Sequence, residues 1–154
     1  MTVGESISWY EDVGLNGTGG NWTYHSVRRA TELDGAGCFV IADDLDNDGD
    51  MALAMSSADT EYVRVLTNDG GDGTLWTAYV VSSDSGGRTS TTHALWSGDI
   101  DGDGDDDLGS ASVIDEISRY ENTDGDGTSW KRHNVSNEDY YASAVTDADI
   151  DGAT

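Results

Sequence analysis

Apolar and polar residues alternate along this chain in short runs, and the runs recur in a fixed order. Residues 7–11, 63–67 and 117–121 show the two-residue alternation that puts successive side chains on opposite faces of a strand. Each run enters a glycine-rich turn, at 16–21, 69–74 and 124–128, and each turn leads to a tryptophan that opens a second alternating run, at 22–27, 76–81 and 130–135. Strand, glycine turn and strand predict a hairpin, three times over. Trp22, Trp76 and Trp130 are spaced by 54 residues in both intervals, so the hairpins are beats of one repeat.

A polar connection of uneven length follows each hairpin, and then a short apolar strand at 39–42, 94–97 or 144–146 runs into an acidic stretch. The first stretch is Asp44-Leu45-Asp46-Asn47-Asp48-Gly49-Asp50, the second runs from Asp99 to Asp107, and a third begins at Asp149-Ile150-Asp151-Gly152. Beyond the first two, residues 51–55 and 108–112 supply one more strand each. A full unit therefore holds four short antiparallel strands, the content of a propeller blade. Units fall at about 1–38, 39–93 and 94–143 within a single domain spanning residues 1–154, and 144–154 starts the next blade.

Composition agrees with an all-β chain. Twenty glycines and no proline mark many tight turns, and 36% hydrophobic content suits thin strands better than a thick helical core. The 31 acidic side chains face only 7 basic ones, Lys131 being the single lysine, and the net charge is -24. Such a chain repels phosphate backbones and anionic membranes, so nucleic acid is excluded as a partner. Membrane insertion is not expected either, since no stretch approaches spanning length, and the N-terminus lacks a basic segment followed by an apolar run. Cys38, the lone cysteine, sits among apolar neighbours and is read as core.

Scattered surface charge does not explain alternation inside a loop. Two carboxylates about 5 Å apart repel by only about 1 kcal/mol in water, but five converging on one loop call for a cation. Calcium takes six to eight oxygens, and a loop with side-chain ligands at positions 1, 3 and 5, a carbonyl at 7 and a carboxylate at 9 wraps it. In the second stretch these are Asp99, Asp101, Asp103, the carbonyl of Asp105, and Asp107, a complete set. The first offers Asp44, Asp46, Asp48 and the carbonyl of Asp50, but Ala52 at position 9, so weaker binding is expected there. The third has only Asp149 and Asp151, a partial set that needs ligands from elsewhere. An EF-hand does not fit, because position 12 is Met55 or Ser110 and no helical pattern flanks either loop.

The D-x-D-x-D-G-D loop, the small-residue strand after it, the Trp-Tyr-Glu or Arg-Tyr-Glu-Asn strand and the G-T-x-W hairpin together resemble the FG-GAP or VCBS-type repeat of calcium-binding β-propellers. The resemblance covers essentially the whole chain. It implies that the acidic loop joins the innermost strand of a blade to the second, that Ca2+ is structural, and that the module works outside the cell. On this order the chain holds almost three blades. Closed propellers need four to eight, so two copies are expected to close a six-bladed ring, the last innermost strand of one copy pairing with the first hairpin of the other.

Where the repeat units differ, a ligand is the reason sought. The connections from outer strand to next inner strand differ most, and they carry Arg28, Arg29, Arg88, Tyr140 and Tyr141. Arginine forks suit carboxylates and aromatic faces suit sugar rings, so a glycan or protein ligand is expected on this face, opposite the acidic loops. Variable surface loops need no such use, and that reading stands beside it. His25 and His133 occupy matching repeat positions and are read as outer-strand surface residues, and no serine or cysteine joins a histidine in a nucleophile motif. The residues thus point to a binding module with no catalytic residue assigned. The alternatives are a propeller fragment of a secreted carbohydrate-active enzyme, a lyase or glycosidase, and a purely structural self-assembling unit.

Overall fold

A computed structural model describes residues 6–14, 20–29, 37–57, 62–83, 92–112 and 116–136. Ten strands order them: β1 (Ser6–Asp12), β2 (Trp22–Arg29), β3 (Gly37–Asp43), β4 (Ala52–Ser57), β5 (Tyr62–Asn68), β6 (Trp76–Ser83), β7 (Thr92–Gly98), β8 (Asp107–Ser112), β9 (Glu116–Asn122) and β10 (Trp130–Ser136). The all-β reading holds, and the alternating runs locate every one of these strands. Most extend a residue or two beyond the alternation, because ladder hydrogen bonds continue where side-chain patterning stops. No helix among the described residues is long and apolar enough to cross a membrane.

The strands form three antiparallel sheets: β1-β2, then β3-β4-β5-β6, then β7-β8-β9-β10. Each is a meander in chain order, as in propeller blades. The pair β1-β2 is the outer half of such a unit. Register repeats along with sequence, since the hairpin tryptophan faces Asp12 in the first sheet, Asn68 in the second and Asn122 in the third. The inner pairs also share an irregularity, between Gly37 and Phe39 in one sheet and between Thr92 and Ala94 in the next.

The sheets pack face to face in order. Val27, Ile7 and Trp9 of the first meet Met55, Leu66, Leu53, Trp76 and Ala78 of the second. A second cluster joins Leu45, Ala54, Val63 and Val65 to Leu95, Leu108 and Tyr120 of the third. Small residues on β4 and β8, buried throughout β8, let the neighbouring blade approach closely. The inner strands β3 and β7 are neighbours, and Ser97 donates from β7 to Asp43 on β3 at 2.6 Å. Strand alternation then places the acidic loops (β3 to β4, β7 to β8) and the glycine hairpins (β5 to β6, β9 to β10) at one end of the stack. The expected ligand connections leave from the other end.

Candidate metal centre

The first acidic loop leaves β3 and curls back into β4 through positive φ at Asn47 (56°) and Gly49 (92°). The curl brings ligand atoms of Asp44, Asp46 and Asp48 within 4.8 Å of one another. Asp44 Oδ2 accepts from the Gly49 N–H at 3.1 Å and Asp48 Oδ1 from the Asp50 N–H at 2.8 Å, so backbone amides preset the carboxylates. Asp44 Oδ1 and Asp46 Oδ1 are buried without a hydrogen-bond partner. Burial, and then the charges of Asp48 and Asp44, push the Asp46 carboxyl above its ordinary range. Buried anionic oxygens without donors are costly, and a hard cation relieves that cost directly. The donor set therefore fits calcium.

The second loop has the same frame. Asp99, Asp101 and Asp103 also come within 4.8 Å. Asp99 accepts from Gly102 N–H at 2.8 Å and Gly104 N–H at 3.1 Å, and Asp103 from Asp105 N–H at 3.0 Å. What differs is a cation from the chain itself. Arg119 on β9 donates from Nη2 to Asp101 Oδ2, and the same nitrogen lies 2.9 Å from Asp107 Oδ2. Asp107 opens β8, where it is buried, and its Oδ1 accepts from the Asn122 N–H at 2.9 Å. The Arg119 hydrogen bond outweighs slight desolvation and lowers the Asp101 pKa, whereas burial raises that of Asp107 against Asn122 and Arg119. Asp106 is raised by burial and then by Asp43, Asp99, Asp107 and Asp44, so the two loops share one negative field.

Six of the seven carboxylates predicted as ligands in the first two loops are thus gathered into two triads. Asp107 is drawn instead into the pair with Arg119. The side chains of Asp50 and Asp105 lie against Gly71 and Gly125 of the hairpins, and only their carbonyls were expected as ligands. Asp149, Asp151, Arg88, Tyr140 and Tyr141 lie outside the described residues. Arg28 and Arg29 end β2, with their backbone opposite Ile7 and Ser6.

Three features escaped the sequence reading. Arg119 is one, although comparing repeats finds it: Asp107 and Arg119 stand where the preceding blade has Ala52 and Val65. The contacts of the histidines are another: both lie partly exposed on the outer strands, as expected, but each is engaged there. His25 stacks on Trp9 with ring centroids 4.0 Å apart and pairs with Glu11 at 3.1 Å, and His133 pairs with Glu121 at 2.6 Å.

The third is that the first acidic loop is clamped by the hairpin of the next blade. Asn122 Nδ2 donates to the Leu45 carbonyl at 3.0 Å, while Asn47 Nδ2 donates at 2.9 Å to both Asp105 Oδ1 and the Gly125 carbonyl. Leu45 is fully buried at this junction. Each hairpin is itself rigid: Asn68 and Asn122 accept through Oδ1 from Gly73 and Gly127, and the indoles of Trp76 and Trp130 donate to the carbonyls of those glycines.

No curated protein and no solved structure matches the chain. A family model does: that of the FG-GAP-like repeat matches residues 44–110, from the first carboxylate of one acidic loop into the strand after the next. The stretch holding both carboxylate triads is therefore similar to an FG-GAP-like repeat, in a chain whose sheets are built and ordered as propeller blades.

Proposed function

We propose that this chain is a calcium-stabilised, non-enzymatic β-propeller module that works outside the cell and binds a glycan or protein at the end opposite its acidic loops. The observation that carries the reading is the pair of buried, unpartnered oxygens, Asp44 Oδ1 and Asp46 Oδ1, beside Asp48. Asp44, Asp46 and Asp48 would hold one ion, and Asp99, Asp101 and Asp103 a second. The ion supplies positive charge that lets the carboxylates converge and ties an inner strand to its neighbour. It is a brace rather than a reaction centre. Ligand count favours the second loop, but there Arg119 already brings one positive charge to Asp101 and Asp107, whereas among the described residues the first loop has none. The first loop therefore fills first.

Calorimetric titration with calcium, beside melting curves with and without chelator, tests the metal. The expected result is two binding events and a melting temperature that rises with calcium; at a hundred times the dissociation constant each site adds about 2.7 kcal/mol. No binding heat together with chelator-insensitive melting refutes the reading. A glycan array addresses the ligand, and silence there removes the glycan while leaving the calcium brace standing.

A further inference from the structure

The socket that grips Leu45 in the third sheet has a counterpart in the second that nothing among the described residues fills in the same way. In the filled socket, Asn122 Nδ2 holds the Leu45 carbonyl, and that oxygen stands 2.9 Å from where a Cβ on Gly127 would lie. Only glycine lets the incoming backbone come so close. In the counterpart, Asn68, Gly73 and Trp76 repeat Asn122, Gly127 and Trp130, with Asn68 Oδ1 again accepting from the turn, here the Gly73 N–H at 2.9 Å. Among the described residues nothing accepts from Asn68 Nδ2. These residues line a cavity of about 460 Å³ whose other wall includes Trp9 and Met51. Trp9 lies over Gly73, where a Cβ would stand 2.7 Å from its ring, and the Trp9 indole N–H is buried without an acceptor.

The cavity is thus an apolar recess beside Asn68, with the Trp9 ring lying over Gly73 where the Leu45 carbonyl lies over Gly127, so an incoming carbonyl must displace that ring. It suits a segment with an aliphatic side chain to bury and a backbone carbonyl to accept from Asn68. Leu45 between Asp44 and Asp46 is that segment in the filled socket. Asp149-Ile150-Asp151-Gly152 repeats it, with Ile150 in the place of Leu45. We propose that the cavity between Trp9 and the Asn68–Trp76 hairpin receives this segment from a second copy of the chain. The Ile150 carbonyl takes the Asn68 amide proton as the Leu45 carbonyl takes that of Asn122, and the aliphatic side chain enters between the sheets. The docking deepens the propeller reading and rests on it, but does not depend on calcium.

Sedimentation of the full chain in millimolar calcium tests it. Two chains of 16.3 kDa are expected to travel together. Ile150→Asp puts a charge where an aliphatic group must be buried, and Asn68→Asp keeps the acceptor for Gly73 while removing the donor. Each variant should halve the mass. Mixing the two, one with an intact socket and the other with an intact plug, should restore a heavier species. A wild-type chain that sediments singly, or variants that stay paired, overturns the docking. Calcium titration of the same samples separates the two ideas: single chains that bind calcium sink only the docking, and paired chains that ignore calcium sink only the brace.

Discussion

Replacing Arg119 by methionine removes the cation that bridges Asp101 and Asp107 while keeping an unbranched apolar stem. The Asp107 side chain is 2% exposed and that of Arg119 20% exposed, so this pair sits at the buried end of the range. Taking one partner from a buried ion pair costs about 3–5 kcal/mol, because the remaining charge loses its compensation. Asp107 keeps the Asn122 N–H, which places the loss at the lower end, about 3 kcal/mol in chelator. Calcium in the second loop brings positive charge to the same carboxylates, so in saturating calcium the loss should shrink to about 1 kcal/mol. Urea unfolding under both conditions measures the difference. An equal loss with and without calcium would refute the reasoning, since it would mean that Arg119 and the ion act on different groups. The preceding blade supplies the control: Asp107→Ala with Arg119→Val installs its Ala52 and Val65. Exchanging a buried ion pair for packed apolar groups is often neutral, so the double variant should lose less than Arg119→Met alone in chelator, the remaining loss being that of the Asn122 N–H deprived of its acceptor.

Asp44→Asn with Asp46→Asn should abolish the tighter calcium event in calorimetry and leave the weaker one; loss of the weaker event instead would reverse the order of filling. Asn122→Ala breaks bonds to the Leu45 carbonyl and the Gly127 N–H in a buried site, and should cost about 3 kcal/mol in urea unfolding. Gly127→Ala meets both a φ of +70° and the Leu45 carbonyl, whereas Gly49→Ala has a φ of +92° but nothing within 4 Å. The first should lower stability by more than about 2 kcal/mol and the second by about 1, and the opposite order would contradict the clamp. Burial raises the Asp124 carboxyl, but hydrogen bonds from Ser129 and Thr128 outweigh it and hold it at about 2. Its folded value lies below its unfolded one, so its stabilisation is present above the ordinary carboxylate range and is lost as pH falls toward about 2. Asp124→Asn should flatten that acid limb in melting curves.

Much of this protein was legible in one dimension, and for physical reasons. A strand displays its two faces as a two-residue alternation, a tight turn demands glycine, and a carboxylate loop needs odd-numbered ligands, so strands, hairpins and acidic triads can all be read from local spacing. The 54-residue interval between tryptophans added the repeat, and with it the sheet order. Other features join residues far apart in the chain. Arg119 reaches Asp101 only because β8 and β9 pair in register, and the Asn122 amide meets Leu45 only because one blade packs on the next. Local pattern says which carboxylates converge on a loop. Packing decides which of them already have a cation, which are buried without one, and which acidic loop is clamped by a neighbouring hairpin, because charge compensation and burial belong to the neighbours that folding brings together.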